Sequence, residues 1–386
     1  MKDATAVVPI ARLPEEWALA LSEWGERPYR ARQIFQWIHK RGVLDPALMT
    51  DLGKPLRERL AQSGLEPPAR VVHVYRSADG TRKLLLEMAE GARVECVIIP
   101  MTRAAGDALA PEEEEESEDG ETAFDRERVT LCVSTQFGCA MGCAFCASGQ
   151  AGLMRGLGAH EIVAQVILSR QYLEPHEDLR NLVFMGMGEP LHHYDQTARA
   201  LRLLTHPDGG NMGPRRITVS TVGLVPGIRK LGADFEGKIG LAISLHAPND
   251  ATRDRIIPMN QRYPLQELLR ALHEYPLPKR RRITIEYTLI AGINDSSAHA
   301  SELVNVLRGL RVKVNLIPMN GIRNSELTAP DDQRVEAFRD QLVRAGLSCF
   351  LRTRRGDDVA AACGQLAMAD ELVSGRKLRV VPELTQ

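Results

Sequence analysis

Long apolar runs and an even set of cysteines are missing from this sequence of 386 residues, and aromatic side chains are scarce. No stretch approaches the roughly 18 consecutive apolar residues of a membrane span, and the opening MKDATAVVPIARLPEEW has an early acid and no sustained apolar run. These absences lead us to expect a soluble, cytoplasmic protein with no membrane partner, and nothing suggests more than a monomer. Aromatic residues make up only 5% of the chain, too few for a broad base-stacking sheet. Seven cysteines, an odd count with no export signal, argue against a structural disulfide framework; clustered thiols point instead to a metal or to catalysis. Excess charge of one sign is also lacking, with a formal net charge of −1. That average conceals an uneven distribution. Residues 101–128 hold eleven acids against three arginines, and the rest of the chain holds 46 Lys plus Arg against 39 Asp plus Glu, about +7. A moderately basic body suits an RNA partner.

The apolar content of 44% supports a full-sized core, and the patterning divides the chain into segments. Residues 1–68 read as short helices, among them RARQIFQWIHKRGV and MTDLGKPLRERL, with Arg27, Arg30, Arg32, Lys40 and Arg41 within reach of one another. Residues 69–100 alternate like strands, with turns at Asp79-Gly80 and Glu90-Gly91, and are expected to form a small sheet that delivers Glu95 to the next domain. Residues 101–127, rich in acid and poor in apolar side chains, are expected to be a disordered insertion. From 128 to 372, six strand-like runs (VTLCVS, NLVFMG, RRITVST, IGLAISL, RITIEYTLI, VKVNLIP) alternate with helical patterns such as AHEIVAQVILSRQYL. Such alternation predicts an α/β fold, a partial (β/α)6 barrel with its chemistry at the strand C-terminal ends. Residues 373–386 form a tail.

The decisive motif follows the first barrel strand: Cys139-Ala-Met-Gly-Cys143-Ala-Phe-Cys146. Three thiolates at these spacings can converge on one cluster, yet they fall one ligand short of what zinc or a cubane iron–sulfur centre requires. A fourth iron without a protein ligand can bind the amino and carboxylate groups of S-adenosylmethionine (SAM). In spacing and place the motif resembles the C-x3-C-x2-C signature of the radical SAM superfamily. After the second strand, Gly186-Met-Gly188-Glu189-Pro190 supplies glycines that let backbone approach a ligand and a carboxylate able to accept from an amino group. Ser220, Ser244-Leu245-His246 and Asn320 stand at later strand ends.

Beyond that triad, RPYRARQIFQWI, TLCVSTQFGCAMGCAFC, GMGEPL, RITVSTVG, ISLHAPND, NLIPMN and RGDDVAAACGQLA together resemble the RlmN/Cfr family of radical SAM adenosine methyltransferases, over roughly Leu13 to Ala369. The resemblance implies methylation of adenosine C2 in 23S rRNA and tRNA, with Cfr-type methylation of C8 as the nearest alternative. More distant alternatives are a radical SAM enzyme on a non-RNA substrate and a non-catalytic metal-containing RNA-binding module. It implies a [4Fe-4S] cluster on Cys139, Cys143 and Cys146, and SAM contacts at Gly188, Glu189, Ser220, Ser244, Leu245, His246 and Asn320. It further implies that Cys363 is the methyl carrier, Cys132 the thiol that forms a transient disulfide with it, and Glu95 the proton acceptor. A low-potential electron donor is implied as a partner.

The chemistry explains why a cysteine is needed. Adenine C2 is an electron-poor sp2 carbon that cannot displace an electrophilic SAM methyl, whereas a thiolate can take that methyl in a polar step. Release of a ring joined to Cys363 then requires loss of the ring proton and attack on the Cys363 sulfur by a second thiol. RNA contacts are sought at the N-terminal basic helices, Arg215-Arg216, Lys279 to Arg282 and Arg352 to Arg355. An adenine buried in folded RNA must be exposed or flipped to reach Cys363. Two features depart from the family pattern: the acidic insertion, and His193 where Asn is common; Cys349 is read as a core thiol.

Overall fold

The computed structural model describes residues 7–101, 126–322, 325–352 and 355–366. Nearly all of the acidic insertion and the whole C-terminal tail lie outside the described residues. Helices α1 (Pro14–Glu23), α2 (Tyr29–Phe35) and α3 (Lys54–Gln62) make up the N-terminal region. Pro14 opens α1, where a missing N–H costs nothing, and the Glu16 carboxylate accepts from the backbone N–H of Leu13 at 2.8 Å. The sequence pattern predicts one helix through RARQIFQWIHK; α2 instead passes into a π turn over Gln36–Lys40. Trp17, Leu21, Ile34, Phe35 and Ile38 are fully buried and belong to the same apolar cluster as the barrel interior. A bidentate pair fastens the two parts, with Arg199 Nη1 and Nη2 each donating at 2.8 Å to the Glu16 carboxylate.

Strands β1 (Ala69–Arg76), β2 (Arg82–Met88) and β3 (Arg93–Pro100) are antiparallel hairpins. The small sheet expected over residues 69–100 forms one edge of a ten-stranded sheet, because β3 pairs antiparallel with β4 (Glu127–Cys132). A backbone edge with open N–H and C=O groups is costly to bury, and this pairing satisfies it. Strands β5 (Gln136–Gly138) and β6 (Leu153–Gly156) form a two-stranded ribbon over the sheet. From β4 the sheet continues in parallel through β7 (Glu177–Phe184), β8 (Ile217–Thr221), β9 (Gly240–Ser244), β10 (Ile283–Leu289) and β11 (Val312–Pro318). These are the six strands read from the sequence. A short seventh, β12 (Cys349–Leu351), adds parallel to β11. Its Cys349, expected in the core, is only half-buried on this edge strand.

Between the strands run α4 (Ala147–Ala151), α5 (Ala159–Ser169), α6 (Tyr194–Thr205), α7 (Val225–Phe235), α8 (Asp250–Ile256), α9 (Leu265–Glu274), α10 (Ser297–Val306) and α11 (Asp332–Arg344). Side-chain caps from Asn249, Ser296 and Asp331 open α8, α10 and α11. The order β4-β7-β8-β9-β10-β11-β12 is sequential and the outer edges do not close, so the architecture is the partial α/β barrel expected from the sequence. All parallel strands end on one side, where their following loops converge.

Candidate active site

The thiol loop is shaped before any ligand is considered. Gly138 has φ +71°, and a Cβ there would lie 1.7 Å from the carbonyl oxygen of Gly152, so only glycine allows the β5–β6 ribbon to close beneath Cys139. Cys139 N–H donates to that same carbonyl at 3.0 Å, and Ala144 N–H donates to Ile256 O at 3.0 Å. Cys146 leads into α4, whose Gly149 packs so closely that a Cβ would meet Cys143 N at 2.9 Å. Cys139, Cys143 and Cys146 all face one open cleft of ≈ 940 Å³, mouth included, at the strand C-terminal ends.

Successive strand exits line the same cleft. After β7, Gly188 has φ +98° and would clash with the Gln136 side chain at 2.5 Å if it carried a Cβ. Gln136 accepts from Glu189 N–H at 2.8 Å, a positioning contact that the sequence reading missed. Glu189 is buried, and its two oxygens accept from Leu191 N–H (3.1 Å) and Val222 N–H (2.9 Å). Burial nevertheless pushes its carboxyl up to about 7, so an added cation in the cleft favours the ionised form. Ser220 and Ser244 approach with Oγ atoms 3.5 Å apart. His246 adopts φ +55°, and its Nδ1 accepts from Thr288 N–H at 2.8 Å, which places the ring proton on Nε2. Burial drives its pKa down to about 3, so the ring is neutral. Buried Asn294, also missed, holds this turn by donating to His246 O (2.7 Å) and Thr288 O (2.6 Å).

The segment carrying Cys363 closes the other side. Ala147 N–H donates to Gly364 O at 2.8 Å, Ser148 Oγ donates to Leu366 O, and Asn320 Nδ2 donates to Cys363 O at 3.1 Å. Cys363 therefore shares the cleft with the thiol triad. Cys132 ends β4 as a buried residue behind the cleft wall; burial pushes its thiol up to about 12, with the neighbouring Cys363 adding to the shift. Glu95 is likewise buried behind the wall, where Lys83 Nζ pairs with its Oε1 at 2.9 Å. Ser134, missed in the sequence, ties the two regions by donating from Oγ to Glu95 O (2.6 Å) and accepting from Met187 N–H (2.9 Å).

Not every candidate residue reaches the cleft. The Leu245 side chain is fully buried in the core, its N–H donates to Glu286 O, and its carbonyl accepts from Arg253 and Ala247. Arg352, sought as an RNA contact, lines the cleft, 3.9 Å from the Glu286 carboxylate. A cation on the inner end of an edge strand finds a better partner in a buried acid than in solvent. Thr353 and Arg354 lie outside the described residues. Of the N-terminal basic residues, Arg32 pairs with Asp208 at 2.6 Å, while Arg41 stacks on Trp37 at 4.0 Å.

The donor set fits an iron–sulfur cluster. Burial pushes the thiols of Cys139 (to about 12), Cys143 and Cys146 upward, so three thiolates here need metal cations to compensate them. No three His, Cys, Asp or Glu side chains among the described residues are grouped to hold a single ion. A cubane spreads its irons, so its thiolates stand further apart than the ligands of one ion. The Asn320 Oδ1 atom is buried in the cleft without a hydrogen-bond partner among the described residues, as a polar ligand such as SAM requires. Among the described residues, no helix is long and apolar enough to cross a membrane.

Comparison with known proteins gives a consistent answer. Residues 16–64 match the ribosomal RNA large subunit methyltransferase N-terminal domain, and residues 133–304 match the radical SAM superfamily. The chain is 58% identical over 375 residues to a dual-specificity RNA methyltransferase RlmN of Sorangium cellulosum, covering 95% of this chain and 96% of that protein. A protein of the same name from Anaeromyxobacter dehalogenans is 45% identical, with 92% and 90% covered. A crystal structure of a radical SAM methyltransferase from Sphaerobacter thermophilus superposes with a TM-score of 0.83 at 40% identity, covering 94% of this chain and 99% of that one. The chain belongs to the RlmN family of dual-specificity RNA methyltransferases, radical SAM enzymes that use a [4Fe-4S] cluster and SAM.

Proposed function

We propose that this enzyme methylates C2 of adenosine in 23S rRNA and in tRNA, with Cys363 as the methyl carrier. The observation behind this reading is that Asn320 and the N-terminal end of α4 hold the Cys363 segment in the cleft that also contains the thiol triad. Cys139, Cys143 and Cys146 would hold the cluster, and Gly188, Glu189, Ser220, Ser244, His246 and Asn320 the SAM. Leu245 contributes only by shaping the turn before His246. When bound, these groups supply an electron, a transferable methyl and a hydrogen-abstracting radical.

The residues of the chain divide the remaining work. The Cys363 sulfur accepts the methyl as a thioether and carries its carbon to the ring. Glu95 takes the proton that leaves C2. The Cys132 thiol, giving up its proton, then attacks the Cys363 sulfur and forms an S–S bond; the S–C bond to the product breaks, its electron pair goes to the departing carbon, and that carbon takes up a proton to become the methyl group. Their burial keeps bulk water from Cys132 and Glu95.

The test is anaerobic incubation of the reduced holoenzyme with SAM and either 23S rRNA or tRNA, followed by mass spectrometry of the nucleosides. We expect 2-methyladenosine from both RNAs, and 8-methyladenosine would overturn the assignment in favour of Cfr-type chemistry. Cys132→Ala should accumulate a covalent protein–RNA adduct, while Cys363→Ala should form neither adduct nor product. Full methylation by the Cys363 variant would remove the carrier role.

A further inference from the structure

Lys83 has a place in this site that its sequence context does not reveal. In the β2–β3 ladder Leu85 lies opposite Glu95 and Lys83 opposite Val97, so Lys83 and Glu95 are diagonal neighbours on one face of the sheet. Both side chains are nearly fully buried. The Lys83 ammonium lies 2.9 Å from Glu95 Oε1 and 4.9 Å from the centroid of the Tyr75 ring. It also donates to the carbonyl of Ala360 at 3.3 Å, three residues before Cys363. One buried cation thus touches both the β3 carboxylate and the C-terminal segment.

We propose that Lys83 is a positioning residue that couples Glu95 to the carrier segment, holding the carboxylate ionised for proton acceptance while fixing the approach of Cys363. The inference rests on the reading of Glu95 as proton acceptor and Cys363 as carrier. A carboxylate removed from water prefers its neutral, proton-loaded form, which cannot take another proton; a cation at 2.9 Å opposes that preference. The same ammonium restrains the backbone of the carrier segment through Ala360. The β1–β2 turn supports this seat, with Asp79 Oδ2 accepting from Gly356 N–H at 2.9 Å and Asp358 Oδ2 accepting from Ala78 N–H at 3.2 Å. A Cβ on Gly356 would meet Thr81 Cγ2 at 2.9 Å, so the segment lies directly against the hairpin. Lysine suits this position because its compact charge has three donors that can be shared among partners.

The test compares Lys83→Met, Lys83→Gln, Glu95→Gln and the double variant Lys83→Met/Glu95→Gln as reconstituted holoenzymes, with cluster absorbance and thermal melting as checks of folding. Under single turnover with RNA, Lys83→Met should release product at least about tenfold more slowly, the scale of an impaired general base, while the protein–RNA adduct accumulates on a denaturing gel. Because Lys83 acts through Glu95, the double variant should be no slower than Glu95→Gln alone. Lys83→Gln keeps a donor for Ala360 but loses the charge, so it should accumulate adduct while leaving the amides of residues 357–362 protected. In ligand-free Lys83→Met those amides should exchange roughly tenfold faster than in the unmodified protein. Wild-type release by Lys83→Met, or slowdowns that multiply in the double variant, would overturn the coupling. A fully active Glu95→Gln variant would instead sink the assignment of Glu95 as base. The hold on the carrier segment would then be decided by exchange alone, and unchanged exchange in Lys83→Met would refute it.

Discussion

The floor of the cleft and the segment that closes it are held by different means. Beneath the floor, the buried Arg253 guanidinium donates to the carbonyls of Val222, Ser244 and Leu245 and to Asn260 Oδ1, joining the exits of β8 and β9 in one network. Asn294 does the same for His246 and Thr288. The carrier segment 355–366 has a different character. It leans on single hydrogen bonds with Asp79, which accepts, and with Lys83, Asn320 and Ala147, which donate. A cofactor pocket gains from preorganisation, because donors already in place cost nothing to arrange when the ligand binds. A carrier sulfur that must meet two partners in turn is better held by bonds that exchange one at a time.

Breaking the floor should produce the largest effect. Arg253→Met removes a buried guanidinium that serves four acceptors and should cost about 3 kcal/mol or more of stability, read from denaturant titration, with SAM affinity falling in parallel. A variant as stable as the parent would mean that the network is not what holds the floor. Breaking the segment's attachment should cost less. Asp79→Ala removes two partly exposed bonds, from Gly356 N–H and Thr81 N–H, and should lower stability by at most about 2 kcal/mol while accelerating amide exchange selectively across 356–361. Equal losses from the two variants would erase the distinction drawn here.

The smallest effect concerns pH. Glu189 has a folded-state pKa raised by burial to about 7 from an ordinary 4.5. In the cofactor-free protein its contribution to stability is complete below 4.5 and is lost as pH rises toward about 7, because the folded state binds the proton more tightly. Glu189→Gln should flatten that part of the stability profile, and an unchanged slope would show that another group is responsible.

Much of this contrast could not be read from the chain alone. Apart from Cys363, which only the family resemblance pointed to, the cleft-lining candidates were legible because they followed recognisable strands, and strand ends converge in any parallel barrel. Gln136, Ser134, Asn294, Arg253 and Lys83 were not, since nothing local distinguishes a strand lysine that pairs inward from one that faces water. The place of Arg352 in the cleft was hidden for the same reason. A run of basic residues suggests a surface, and only the position of Glu286 across the sheet turns its first member inward. The pairing that joins the small sheet to the barrel was not legible either, because hydrogen bonding between β3 and β4 crosses a long acidic stretch that periodicity cannot bridge.

By itself the sequence determined the alternation of strands and helices, the three-thiol spacing, and the glycines at Gly138 and Gly188 that backbone geometry demands. Those properties are local, set by period, by thiol chemistry and by the room a Cβ would occupy. Only the tertiary structure decided that Cys363 would lie against the thiol loop and that one lysine would touch both Glu95 and the carrier segment. The carrier segment is more than two hundred residues from both the thiol loop and Lys83 in the chain, and what brings them together is the burial and pairing of the sheet between them.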